Sequence, residues 1–272
     1  MHCGVVLPGG TAPQQLELAL VAEQAGWDGV FVWEAAYGVD AWTLLGAIAS
    51  RTTRVKLGTM LTPLPWRRPW KVASQAATLD QLSHGRAVVA VGSGAVATGQ
   101  GQTGEALDVR RRAEMLDEGI DLLQGFWRGD LAFSGAHYQT QLAARGDLAE
   151  AGAPVQANIP LWVVGVWPRE RSLQRALRCS GVIPEPMSGD LTPATIAELR
   201  EWLTRHGAGG AFDIVVDGET PLAVDDARAA VAPWANAGAT WWLETQWAPP
   251  RNAPGMLAAF RARVEAGPPA ER

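Results

Sequence analysis

The stretch Ala87-Val88-Val89-Ala90-Val91, running straight into Gly92-Ser93-Gly94, decides the fold. Five consecutive apolar residues leave no polar face, so this strand is buried on both sides, as in a parallel sheet covered by helices. Similar short apolar runs recur on either side of it. Candidate strands lie at Cys3–Leu7, Gly29–Trp33, Val55–Leu61, Leu161–Val166, Val182–Pro184, Phe212–Val216 and Thr240–Glu244. Amphipathic stretches separate them. Val109, Ala113, Leu116, Ile120, Leu123 and Trp127 form one apolar stripe at helical spacing, with Arg111, Glu114, Asp117, Glu118 and Asp121 mostly off it. Leu16, Leu20 and Ala22 lead to Gly26, a helix stop. Asp40 can cap a helix that turns Leu44, Leu45 and Ile48 inward, and Pro168 suits the first position of a fifth helix. Later helices fit Pro193–His206, Asp225–Ala237 and Pro254–Val264.

Eight strand–helix pairs joined by right-handed crossovers close into a ring, so the expected class is α/β, a single (β/α)8 TIM barrel. No composition break divides residues 1–272, which read as one domain. The irregular piece 129–158 is an insertion before the fifth strand, where Phe133-Ser134-Gly135-Ala136-His137-Tyr138 can form a small hairpin; the tail 267–272 is expected to fray.

The apolar fraction of 47% and charged fraction of 19% rule out global disorder. The net charge is −5, and the one dense basic run, Arg110-Arg111-Arg112, meets Glu114, Asp117 and Glu118 at once. That excludes the concentrated basic footprint of a nucleic-acid binder. Two cysteines, Cys3 and Cys179, supply neither a disulfide framework nor metal-ligand spacing. No leader and no apolar run near 20 residues is present, so the expectation is a cytoplasmic protein without a membrane span. Thirteen tryptophans stand against five phenylalanines and two tyrosines. Either some indoles line a cavity for a flat ligand, or a GC-biased codon supply explains them together with the abundant Ala and Arg.

In such barrels chemistry sits on the loops after the strands. Those ends carry Pro8-Gly9-Gly10, Trp33-Glu34, Thr62-Pro63, Gly92-Ser93-Gly94, Gly165-Val166-Trp167, Glu185, Asp217 and Glu244. His2, His84, His137 and His206 fall elsewhere, which argues against a histidine-ligated metal or a Ser-His-Asp triad. Gly92 to Ala97 matches G-x-G-x-x-A formally, but Gly99, Gly101 and Gly104 deny it the immediate helix that a dinucleotide fingerprint needs. These glycines either let backbone approach a ligand or form a plain turn. The N-terminus after Trp167-Pro168 could attract a phosphate, aided by Arg169 or Arg171, or be an ordinary solvated first turn. Glu34, Glu185, Asp217 and Glu244 could hold a divalent cation, or be caps and surface charges.

Several runs carry a resemblance. Arg54-Val55-Lys56-Leu57-Gly58-Thr59-Met60-Leu61-Thr62-Pro63, then Arg68-Pro69-Trp70-Lys71-Val72-Ala73, resemble the luciferase-like monooxygenase family. So do Leu79-Asp80-Gln81-Leu82-Ser83-His84-Gly85-Arg86, Leu116-Asp117-Glu118-Gly119, Ile159-Pro160-Leu161-Trp162 and Gly238 through Glu244. The resemblance implies FMN or the 8-hydroxy-5-deazaflavin coenzyme at the barrel mouth. It implies a bulge, often with a non-proline cis peptide, at Met60–Leu61 behind the central ring, with Thr62 beside it. It further implies Gly92, Ser93 and Gly94 flanking the cofactor, and Gly165, Val166, Trp167, Arg169, Arg171 and Ser172 on the phosphate side.

One departure stands out. Many members of the family it resembles carry Trp-Asp-His at the end of the second strand, whereas this chain has Trp33-Glu34-Ala35. Acid–base work there would then fall to Glu34, provided a dry pocket raises its proton affinity, or would not happen at all. The resulting expectation is a flavin- or deazaflavin-dependent oxidoreductase or monooxygenase acting on a small, largely apolar substrate. Trp33, Trp167 and Trp242 would wall the pocket, with Glu244 beside the substrate and only one of Trp241 and Trp242 pointing inward. The alternatives are a flavin-binding barrel without catalysis, and a metal-dependent lyase or isomerase using Glu185, Asp217 and Glu244. Family analogy adds a homodimer through helices Asp40–Ser50 and Arg68–Leu82.

Overall fold

Parallel pairing runs unbroken around the molecule. The structure is a computed structural model that describes residues 1–96, 103–142, 151–247 and 255–270. Its strands are β1 (His2–Leu7), β2 (Gly29–Val32), β3 (Lys56–Thr59) and its continuation β4 (Thr62–Pro63), β5 (Ala87–Gly92), β6 (Ala132–Ser134), β7 (Gln139–Gln141), β8 (Leu161–Trp167), β9 (Gly181–Pro186), β10 (Asp213–Gly218) and β11 (Trp241–Glu244). The order β3-β2-β1-β11-β10-β9-β8-β5 returns to β3, where Leu57 faces Ala87 and Gly58 faces Val88. That closure makes an eight-stranded parallel barrel. The third strand breaks at Met60–Leu61 and resumes at Thr62, still paired with β5.

The helices are α1 (Ala12–Ala25), α2 (Ala41–Ala49), α3 (Pro69–Leu82), α4 (Val109–Arg128), α5 (Glu170–Ala176), α6 (Pro193–Arg205), α7 (Val224–Asn236) and α8 (Met256–Glu265). Their ends follow the sequence. Thr11 and Gln14 form a capping box on α1, and Gly26 closes it at φ 96°. The Asp40 carboxylate accepts from the Thr43 amide at 2.8 Å. Leu44, Leu45 and Ile48 are buried, as are Leu116, Ile120 and Leu123 of α4. Val109 is exposed because it opens the helix beyond the barrel edge. In α1 the buried face is Gln15, Leu18, Ala19 and Ala22, while Leu16 is only half-buried, since α8 packs along the same helix. Pro168 does not begin a helix. It follows a cis peptide from Trp167, and α5 starts two residues later behind Arg169. Pro254, the expected first residue of the last helix, lies outside the described residues.

Two apolar layers result. Strand residues facing outward pack under the helices, and those facing inward fill the ring. Phe31, Trp162 and Trp241 occupy the interior, with ring centroids 5.3 to 6.0 Å apart. They plug the lower ring and leave the upper end free. The run Leu79 to Arg86 serves this closure. The Arg86 guanidinium donates to the carbonyls of Val55 (2.7 Å), Thr52 (2.8 Å) and Ser83 (2.7 Å), tying the start of β3 to that of β5. Asp80 accepts from the Gln156 amide at 2.8 Å. The motif is a structural clasp at the foot of the barrel.

The hairpin β6–β7 is antiparallel. Glu118 of α4 receives the amides of Ala136, His137 and Tyr138 and holds it in place. Residues 143–150 of the insertion and 271–272 of the tail lie outside the described residues, whereas 267–270, expected to fray, are held: Arg263 donates to the Gly267 carbonyl at 2.8 Å and Ala270 packs against the core.

Candidate active site

At the carboxyl ends of the strands the ring opens into a cavity of about 310 Å3. Met60, Leu61 and Pro63 form one wall at the break in the third strand, and Gly92, Ser93, Gly94 and Ala95 form the next, after β5. Val164 and Ile183 continue it, and Trp33 and Glu34 close the side of β2. Four strands around the ring from β3 stand Asp217 and its neighbours Glu185 and Trp247.

The wall at Met60–Leu61 contains a non-proline cis peptide. A Cβ at Gly92 would come within 3.0 Å of Leu61 Cδ1 and 3.2 Å of Val164 Cγ2, so the glycine lets these two lining side chains pack against the end of β5. Gly94 has φ 80°, and a Cβ would lie 2.4 Å from the Trp66 indole. Arg112 fixes this loop from below, donating to the carbonyls of Ser93 (2.9 Å) and Gly94 (2.6 Å) while its guanidinium lies over Trp66. The glycines of this turn therefore serve its backbone conformation and its packing against Trp66, Leu61 and Val164. Ala97, Gly99 and Gly101 lie outside the described residues.

Glu34 is buried and fully engaged. Its carboxylate pairs with Arg67 and accepts from the Thr62 hydroxyl at 2.6 Å and the Trp42 indole at 3.1 Å. Both carboxylate oxygens therefore have partners. Glu34 braces the rim between β2 and β4. Ala35 faces a neighbouring cavity of about 210 Å3 with Pro8, Gly9, Gly10 and Tyr37, and Trp33 lines both cavities.

Glu185 and Asp217 are the other carboxyls on the main cavity. Burial raises the proton affinity of Asp217, against the pull of hydrogen bonds from Trp247 and Thr245. Enclosure raises that of Glu185, and the charge of Asp217 adds to it. The Trp247 indole donates to Asp217 Oδ2 at 2.7 Å.

A family model for luciferase-like monooxygenases matches residues 2–269. The chain belongs to this family. It is 31% identical over 240 residues to a Mycobacterium tuberculosis protein named as a coenzyme F420-dependent oxidoreductase, an alignment covering 82% of this chain and 67% of that one. It is 34% identical over 158 residues to an F420-dependent glucose-6-phosphate dehydrogenase of Nocardia farcinica, covering 53% of this chain and 46% of that protein. The match thus spans about half of the dehydrogenase. A solved F420-dependent secondary alcohol dehydrogenase superposes at TM-score 0.75 with 19% identity, covering 97% and 98% of the two chains. This last likeness concerns the fold.

Within this luciferase-like barrel the expected residues divide. Trp33, Met60, Leu61, Gly92, Ser93 and Gly94 meet around one cavity, with Thr62 directly behind it through Glu34. The lining of this cavity, apolar at Met60, Leu61, Val164 and Ile183 and flanked by the Trp33 and Trp247 indoles, fits a planar cofactor ring. The phosphate side is less assembled. Arg169 and Arg171 are exposed, the Ser172 hydroxyl is engaged by the Val166 amide at 3.0 Å, and α5 has only seven residues. Gly165 turns away from the cavity toward α5, where a Cβ would press on Val182 and Leu173. Trp167 likewise packs into the layer under the helices.

Trp242 and Glu244 require correction. The inward residues of β11 are Trp241 and Leu243, so by strand alternation Trp242 and Glu244 face outward. Trp242 packs beside Trp234 of α7, and Glu244 accepts from the Thr220 amide and hydroxyl at 2.7 and 2.6 Å. Glu244 therefore does not converge with Glu185 and Asp217, and the metal-site alternative loses its third ligand. Trp247 was not singled out from the sequence. Its signal was parity: 241, 243, 245 and 247 share one face of an extended chain.

Proposed function

We propose that this chain binds the 8-hydroxy-5-deazaflavin coenzyme in the mouth of the barrel and exchanges hydride with a small, largely apolar organic molecule. FMN is the alternative cofactor for the same slot. The observation that carries this reading is the cavity of about 310 Å3 against the Met60–Leu61 wall at the mouth of a luciferase-like barrel. When bound, a deazaflavin supplies two-electron hydride exchange at its ring. The chain's own part is to orient and dry the site. The Met60–Leu61 wall would back the ring, the backbone of Gly92, Ser93 and Gly94 would flank it, and Trp33 and Trp247 would shield it from water. Arg169 and Arg171 would meet a phosphate-bearing tail. Glu34, held by Arg67, keeps the rim in place and acts as a positioning residue.

The same reading includes two copies paired through α2 and α3, supported by family analogy and testable by sedimentation. Among the described residues no helix is long and apolar enough to cross a membrane. Calorimetric titration with each cofactor tests the central reading: saturable binding of the deazaflavin supports it, FMN binding alone assigns the alternative, and binding of neither removes it.

A further inference from the structure

Glu185 and Asp217 stand at the ends of the neighbouring strands β9 and β10. These strands pair Gly181 with Asp213 and Val182 with Ile214, and the same offset carried to the strand ends puts Glu185 beside Asp217, close enough for the charge of Asp217 to act on it. Ile183 and Val215, one step below on this face, belong to the inner core, so both carboxyls point into the ring. Both also line the main cavity. They stand on the far side of that cavity from Met60–Leu61, separated from it by the slot.

The remaining titratable group on the cavity is Glu34, which is occupied by Arg67, Thr62 and Trp42. None of the four histidines lines it, and the position where many family members carry histidine is Ala35, on the neighbouring cavity. The groups packed on the pair are Val164 and Ile183 beside Glu185, and Thr245 and Trp247 beside Asp217. No cation among the described residues bridges the two carboxyls. Trp247 donates to Asp217 Oδ2 at 2.7 Å, and Thr245 adds a second hydrogen bond to the same carboxyl.

We propose that Glu185 and Asp217 hold one proton between them and serve as the acid–base group for the proton that accompanies hydride transfer. This rests on the proposed oxidoreductase reading and moves proton handling from the end of β2, where Ala35 stands, to the ends of β9 and β10. For an alcohol, the C–H bond breaks with its electron pair passing to the deazaflavin-class acceptor. The O–H proton passes to the carboxylate of the pair, and the carbonyl forms. In the reverse direction hydride reaches the carbonyl carbon, and the carboxylic acid of the pair gives its proton to the oxygen. A singly protonated pair can do both, since like charges at close range cannot both ionise freely. The raised proton affinities of both groups agree with this arrangement.

The test is an infrared pH titration of the carboxyl bands in cofactor-free protein, with Asp217→Asn and Glu185→Gln variants. The proposal expects one carboxyl to stay protonated well above the ordinary carboxylate range. It expects the midpoint of either group to fall when the other is replaced. Both groups titrating in the ordinary range, or a Glu185 midpoint unmoved by Asp217→Asn, would overturn it. In cofactor-loaded protein each variant should lose about 10²- to 10⁴-fold in kcat with cofactor affinity retained. Turnover unchanged in both variants would also overturn it. Absence of cofactor binding by the parent protein would instead count against the oxidoreductase reading, because the apo titration needs no cofactor.

Discussion

The Trp247 indole Nε1 donates to Asp217 Oδ2 at 2.7 Å, joining the end of β10 to a residue three positions beyond β11. This bond draws the chain after β11 over the barrel mouth and holds an indole against the inner core. Trp247→Phe keeps the aromatic wall but removes the donor that favours ionised Asp217. The proton affinity of Asp217, already raised by burial, should rise further. The acidic limb of the kcat profile should move to higher pH, while cofactor affinity changes less than about tenfold. A pH series of steady-state rates checks this.

Asp217 also links the site to stability. Its carboxyl is harder to ionise in the folded chain than at its ordinary value of 3.8. Above 3.8 the unfolded chain has released a proton that the folded chain retains, so stability falls as pH rises from there through the raised folded value. Asp217→Asn removes that loss. At neutral pH the variant should melt about 2–4 °C higher than the parent, with the gap closing on acidification. Thermal melts at several pH values read it directly.

Asp117 has the opposite sign. Burial pushes its carboxyl up, but Arg175 and Arg178 outweigh this and hold it below 3.8. Arg175 meets it through two bonds of 2.8 and 2.9 Å, tying α4 to α5. Asp117→Asn should cost about 1–2 kcal/mol at neutral pH. The stability that Asp117 supplies is present above 3.8 and is lost as pH falls through its lowered folded value, so the difference disappears in strong acid. Denaturant melts at two pH values measure it.

Much of the fold was legible because burial on both faces writes itself into sequence. Ala87–Val91 has no polar face, and the α4 stripe is spaced as a helix must be. The family run from Leu79 to Arg86 stood out as a motif, yet its role as a clasp on the carbonyls of β3 needs three-dimensional contacts. The cavity was legible only in part. Glycines at a strand end marked Gly92 and Gly94, which line the cavity. In Trp241-Trp242 the parity could not be fixed from an isolated strand, and Trp242 was placed inward when it faces α7. The bracing of Glu34 by Arg67 crosses from β2 to the far side of β4, and no local pattern announces it.

Arg67 provides a further check. Removing it leaves the buried Glu34 carboxylate without its cation. Arg67→Ala should destabilise the chain by about 3–5 kcal/mol, and Glu34→Gln in the same background should recover part of it. Urea melts of the two variants and their combination give the coupling. Full additivity would show that the pair does not brace the rim.

The most direct measurement is a crystal structure of the protein with the deazaflavin coenzyme. The account predicts the ring in the slot between the Met60–Leu61 wall and the Glu185–Asp217 wall, edge-on to Gly92, with its tail running toward Arg169. A ring bound elsewhere, or a slot closed by Leu61 and Trp247 with the coenzyme excluded, would contradict it.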